Sequence, residues 1–170
     1  MEIFRGRRLW IEQREVRLPN GLLRQKLVVH PSSAVAILPL EGERCKLIRQ
    51  YRYAIDDYIL EAPAGALEKD EDPLSAAGRE LIEETGLSAR TIEPRGFIIT
   101  TPGYTDEKIY LYEASGLSPS QEFEKDEDEV IEVVDVAVSD LPGMVRDGTI
   151  TDAKTICLIC RCLKIGRAHV

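Results

Sequence analysis

Residues 65–87 read GALEKDEDPLSAAGRELIEETGL, and the fold is decided in this stretch. It matches G-x5-E-x7-R-E-U-x-E-E-x-G-U, with U an aliphatic residue, at every fixed position: Gly65, Glu71, Arg79, Glu80, Leu81, Glu83, Glu84, Gly86 and Leu87. The second half predicts a helix. Asp72 is a fitting N-cap, and Pro73 suits the first helical position, where a missing N–H is not needed. Leu74, Ala77 and Leu81 recur at helical spacing and are expected to face the core. Gly86 is a natural stop. Gly78 weakens the helix by roughly 1 kcal/mol relative to alanine, and close packing against a neighbour would account for it.

At about 100° per residue, Glu84 and Glu83 lie about 40° and 60° to either side of Glu80, so three carboxylates share one face. Leu81 and Leu74 point roughly 100–120° away from it. Grouped carboxylates repel, and a hard cation removes that penalty. Mg²⁺ suits carboxylates acting together with substrate phosphates. Arg79, beside these ligands, is expected to hold a carboxylate in orientation. Upstream, Ala62-Pro63-Ala64-Gly65 must turn sharply, and glycine lets the Ala64 carbonyl point inward as a further ligand. A glutamate-rich helix alone is usually a solvated face. Gly65, Glu71 and Gly86 standing in register with it favour a metal site instead.

The 170 residues predict one domain with a single good core. A hydrophobic content of 44% with 31% charged residues is ordinary for a soluble protein. No apolar run reaches the length of a membrane span, and MEIFRGRRLW has no signal-peptide core, so a cytoplasmic protein is expected. The net charge of −8 argues against nucleic-acid binding, which needs a basic face. It also means that metal ions and local arginines must offset repulsion of any phosphorylated substrate. Cys157, Cys160 and Cys162 lack the second Cys or His cluster that would complete a metal shell. They are expected to be buried or half-buried thiols on an apolar helix.

Around the opening stretch the period is that of strands. Residues 10–29 flank the hairpin signal Pro19-Asn20-Gly21, and 34–40, 45–53 and 58–61 follow. Strands return at 96–101, 108–114 and 130–138. Ser139 is expected to cap a short helix ending near Gly148, and Asp152 to open a last helix through Lys164. Many strands with about three helices, and no regular βα alternation, predict an α+β fold with a mixed sheet.

The pattern in residues 65–87 is the Nudix box, and the chain resembles the Nudix hydrolases. That resemblance implies an α/β/α sandwich and metal-assisted cleavage of nucleoside diphosphates linked to another moiety. It implies Glu80 and Glu84 as leading metal ligands, with Glu83 and the Ala64 carbonyl contributing, and Mg²⁺ or Mn²⁺ as the ion. Three segments outside the box resemble the ADP-ribose pyrophosphatases. Thr101-Pro102-Gly103-Tyr104-Thr105-Asp106-Glu107 is similar to a turn that lines the substrate pocket, which points to Pro102, Gly103 and Glu107. Arg49-Gln50-Tyr51-Arg52 is similar to a strand whose arginine contacts the ligand. Arg49 and Tyr51 point to one side of it, Gln50 and Arg52 to the other. Arg52 is the first choice for phosphate and Arg49 the second. Asp126-Glu127-Asp128-Glu129 is similar to a loop supplying a catalytic glutamate, Glu127 or Glu129, with Glu83 beside them in the catalytic set.

The resemblance thus implies hydrolysis of ADP-ribose to AMP and ribose 5-phosphate. The alternatives are another nucleotide sugar, a dinucleoside polyphosphate, or a non-catalytic nucleotide-sugar-binding module. It also implies a homodimer in which residues 1–33 form exchanged N-terminal strands and residues 34–170 form the Nudix domain. No nucleic-acid or membrane partner is expected.

Overall fold

The computed structural model describes residues 1–121 and 130–163. Its strands are β1 Glu2–Arg5, β2 Leu9–Arg17, β3 Leu23–Pro31, β4 Ala34–Glu41, β5 Arg44–Arg52, β6 Asp57–Glu61, β7 Ala64–Ala66, β8 Leu87–Ile99, β9 Lys108–Pro119 and β10 Ile131–Ala137. The helices are α1 Pro73–Thr85, α2 Leu141–Arg146 and α3 Ala153–Cys162. Strands β1, β2 and β3 form a small antiparallel sheet. The larger sheet runs β10-β5-β4-β9-β8, with β6 on β5 and β7 on β4. Its β4–β9 pair is parallel and the others antiparallel, so the sheet is mixed, as expected.

Strand alternation on β4 builds the sandwich. Ala36 and Leu38 face one way, into a cluster with Leu47, Leu141, Ile150, Leu158 and Ile159, which places α2 and α3 on that side. Val35 and Ile37 face the other way and pack with Ala76, Ala77 and Leu81 of α1. A strand buried on both faces needs apolar residues at every position, and AVAIL supplies them.

Helix α1 starts and stops as its sequence predicts. The Asp72 carboxylate accepts from the Leu74 and Ser75 N–H groups, and Gly86 closes the helix in the left-handed region with φ of 71°. Leu74 departs from expectation. It is exposed, and the buried stripe is Ala76, Ala77, Glu80, Leu81 and Glu84. Gly78 is not needed for close packing, since an added Cβ would meet only Ile92 Cδ1 at an ordinary 3.7 Å.

Three further differences are local. Asp140, not Ser139, precedes α2, and no side chain caps that helix. Strand β8 begins at Leu87, well before residue 96, because Pro94-Arg95-Gly96 is absorbed as an irregularity in its pairing with β9. Cys160 is exposed, whereas Cys157 and Cys162 are half-buried. Burial pushes the Cys45 and Cys162 thiols up to about 12. No helix among the described residues is long and apolar enough to cross a membrane.

Candidate active site

The loop before α1 is tied down on both sides. The Ala62 N–H donates to Thr155 Oγ1 at 2.7 Å, and that hydroxyl donates to the Asp152 carboxylate at 2.5 Å. Strand β7 then pairs with β4, setting Ala64 opposite Ala36. From there the Ala64 N–H donates to Glu84 Oε2 at 2.7 Å, linking the loop to α1.

Gly65 lies directly under Glu80. A Cβ built on Gly65 would stand 2.0 Å from Glu80 Oε1 and 2.3 Å from Oε2, so any larger residue would push the carboxylate out of its place. This is a requirement of space.

Arg79 gathers the remaining acids. Its guanidinium donates to both Glu71 oxygens, at 2.9 and 3.0 Å, to Glu80 Oε1 at 2.8 Å and to Glu83 Oε2 at 2.7 Å. The Glu71 hydrogen bonds, and the charges of Glu80 and Glu83, hold the Arg79 pKa above its usual value. Glu71 also accepts from the Glu68 N–H at 2.9 Å. One arginine thus keeps three carboxylates together, and the expectation that Arg79 orients an acid agrees with this geometry. Glu80 and Glu84 are buried, at 8% and 6% exposure, whereas Glu83 is open to solvent.

Arg79 holds the Glu71 carboxyl below its usual value of 4.5. The pair therefore stabilises the fold above that pH and stops doing so as pH falls through the lowered value. Glu71→Gln is expected to cost about 1–3 kcal/mol near neutral pH, with the deficit closing as pH falls through the lowered value and the wild-type acid protonates. Urea unfolding of both proteins near neutral pH and below the lowered value measures this. A deficit that does not change with pH contradicts the ion pair.

A second charged network flanks the first. Buried Glu61 on β6 is bound by the Arg52 guanidinium, with Nε at 2.9 Å, and by Lys154 Nζ at 3.0 Å. Lys154 also reaches Asp152, the N-cap of α3, at 3.0 Å. Burial works against the Arg52 charge, but the hydrogen bond and charge of Glu61 outweigh it and raise the pKa.

Both networks open into one cleft of about 1290 Å³. Glu80, Glu83, Glu84, Ala64, Arg52, Lys154 and Glu107 all line it. Glu107 accepts from Thr100 Oγ1 at 2.6 Å. Pro102 and Gly103 form the turn beside it, where the Tyr104 N–H donates to the Thr101 carbonyl at 3.2 Å, but they are not in the cleft wall. Arg49 lies on the opposite face of β5, its guanidinium 4.3 Å from the Tyr58 ring and 3.7 Å from Glu132. Strand alternation separates it from Arg52, so the second-choice arginine does not reach the cleft. Glu127 and Glu129 lie outside the described residues.

The N-terminal sheet adds residues that carry no signal in the sequence. The Val29 N–H donates to the Tyr104 carbonyl at 2.8 Å, and His30 Nδ1 lies 2.6 Å from Asp106 Oδ2. Trp10 stacks on His30 at 3.8 Å. The Ser32 N–H donates to the Arg8 carbonyl at 2.9 Å, and Arg7 and Arg8 join the cleft wall of their own chain.

The donor set suits a divalent cation. Among the described residues no three acidic, Cys or His side chains already form a cation cage, since Arg79 sits between Glu80 and Glu83. Buried oxygen donors over a glycine-cleared hollow are nonetheless the ligands that a hard ion prefers, and substrate phosphates supply the rest. Glu80 and Glu84, with Glu83 at the rim, are the residues that would hold it.

Known proteins share this chain's sequence and fold. Residues 30–159 match the NUDIX domain family. The methanol dehydrogenase activator of Bacillus methanolicus is 36% identical, over 91% of this chain and 85% of its own length. The ADP-ribose pyrophosphatase of Bacillus subtilis (strain 168) is 37% identical, over 91% of this chain and 84% of its own. A solved structure described as an ADP compounds hydrolase superposes with a TM-score of 0.84 at 24% identity, covering 95% of this chain and 88% of that one, and has the same fold. With every fixed box residue present, and Gly65, Arg79, Glu80, Glu83 and Glu84 lining a single cleft, the chain belongs to the NUDIX domain family and is a hydrolase of that family.

Proposed function

We propose that the protein hydrolyses the diphosphate of ADP-ribose, releasing AMP and ribose 5-phosphate. The observation that carries this reading is the meeting of the Arg79-held carboxylates with Arg52 and Glu107 in one cleft. The Bacillus subtilis relative named for that reaction supports it. Mg²⁺, with Mn²⁺ as the alternative, would neutralise the phosphates and acidify a water when held by Glu80, Glu84 and Glu83 with the Ala64 carbonyl.

The chain's own residues do the rest. Arg79 keeps Glu80 and Glu83 facing the cleft, and the Ala64 N–H keeps Glu84 there. Arg52 is held toward the phosphates by Glu61, and Arg7 and Arg8 add positive charge to the opening. These cations answer the problem posed by a net charge of −8. Glu127 or Glu129 takes the proton of the attacking water. The water oxygen bonds to one phosphorus, and the bond from that phosphorus to the bridging oxygen breaks. Glu107 stands on the side of the pocket that meets a sugar, with Pro102 and Gly103 in the turn beside it.

The protein acts in the cytoplasm as a homodimer joined through residues 1–33. The exposed apolar side chains Ile3, Phe4, Leu9 and Leu27 on that sheet support the association.

A panel of ADP-ribose, ADP-glucose and diadenosine tetraphosphate, each with Mg²⁺ and read by chromatography, tests the substrate. ADP-ribose is expected to have the highest kcat/KM. Intact ADP-ribose beside rapid cleavage of another compound overturns the assignment.

A further inference from the structure

Gln50 has no part in the chemistry above, yet its surroundings demand one. It sits on β5 two residues from Arg52, so both side chains turn to the same side of the strand and into the cleft. It is 6% exposed, and its Oε1 has no hydrogen-bond partner among the described residues. A buried amide oxygen without a donor destabilises a fold, and an apolar side chain of similar size avoids that penalty.

No described group in the cleft donates to this oxygen. Arg52 and Lys154 are bound to Glu61. Glu80, Glu84 and Glu107 carry carboxylates, which accept hydrogen bonds when ionised and have none to give. Among the described residues no donor reaches this oxygen, and a ligand entering the cleft can bring one. In a nucleotide sugar the diphosphate oxygens are acceptors at neutral pH, so the donors nearest the phosphates are the ribose hydroxyls.

We propose that Gln50 is a substrate-binding residue whose Oε1 accepts a hydrogen bond from a ribose hydroxyl flanking the diphosphate. The proposal rests on the reading of the cleft as a nucleotide-sugar site and assigns a recognition element within it. Such a contact discriminates strongly, because a ligand lacking the hydroxyl leaves the buried oxygen unpaired again.

The test compares wild type with Gln50→Met, which keeps the volume and removes the amide. Kinetics are measured with ADP-ribose and with analogues each lacking one ribose hydroxyl. The variant is expected to lose about 10-fold in kcat/KM on ADP-ribose and little or nothing on the one analogue whose hydroxyl makes the contact. Without ligand, its thermal midpoint is expected to equal or exceed that of wild type, because an unpaired polar atom has been removed. An equal loss on every analogue overturns the proposal and points to a metal-bound water as the donor. A lowered midpoint without ligand also overturns it, by making Gln50 structural. Should wild type leave ADP-ribose intact, the substrate reading fails separately. Calorimetric binding of ADP-glucose and its deoxy analogues to both proteins then decides the role of Gln50.

Discussion

Glu84→Gln is expected to lower kcat by at least about 10²- to 10³-fold while leaving the thermal midpoint close to that of wild type. The two halves of this expectation come from different atoms of one side chain. Glu84 Oε2 accepts the Ala64 N–H at 2.7 Å, and a glutamine oxygen accepts it equally, so the loop stays fastened to α1. What the amide removes is a negative charge and a strong oxygen donor at a buried position facing the cleft. A divalent ion loses affinity for such a site, and the phosphates lose the charge that offsets theirs. Steady-state kinetics across a range of Mg²⁺ concentrations, beside thermal unfolding, measures both. Near-normal turnover would reject the role given to Glu84.

The second large effect is expected from a single methyl group. Gly65→Ala places a Cβ 2.0 Å from Glu80 Oε1, far inside van der Waals contact. The Glu80 carboxylate has to move, and its bond with Arg79 at 2.8 Å has to stretch or break. Because the atoms displaced are the end of a flexible side chain, the stability cost is small and set mainly by the loss of that hydrogen bond, about 0.5–1.5 kcal/mol, read as a lowered urea midpoint with an unchanged slope. Activity falls further than stability does, because displacing a catalytic donor by about 1 Å is worth roughly 10²-fold. An alanine variant with full activity would mean that Glu80 does not occupy the position over residue 65 during turnover.

How much of this was legible from residues alone depended on distance along the chain. The box is one contiguous segment, with its cap at Asp72, its stop at Gly86 and its acids at helical spacing, so local rules reach nearly all of it. Even there Leu74 misleads, because helical periodicity gives the face of a residue but not whether anything packs against it. The start of β8 was hidden because Pro94-Arg95-Gly96 has the composition of a turn, and only pairing with β9 keeps it extended.

Long-range contacts left no trace in the sequence. Glu61 and Lys154 are 93 residues apart, and His30 and Asp106 are 76 apart, so nothing local pairs them. Arg7 and Arg8 read as surface charge until the N-terminal sheet is docked on the Thr101–Glu107 turn. Gln50 reads as a polar residue on a half-buried strand, and its significance appears only when its burial and unmatched oxygen are seen together. Strand alternation did separate Arg52 from Arg49 in advance, and the cleft selects the first.

The central claim is that grouped acids on α1 hold a divalent cation against a diphosphate. It is tested most directly by calorimetric titration of Mg²⁺ into the protein with a methylene-bridged, non-hydrolysable ADP-ribose analogue. Saturable uptake in wild type, strongly weakened by Glu84→Gln, is the predicted result. A wild-type protein that binds the analogue but takes up no cation contradicts the account.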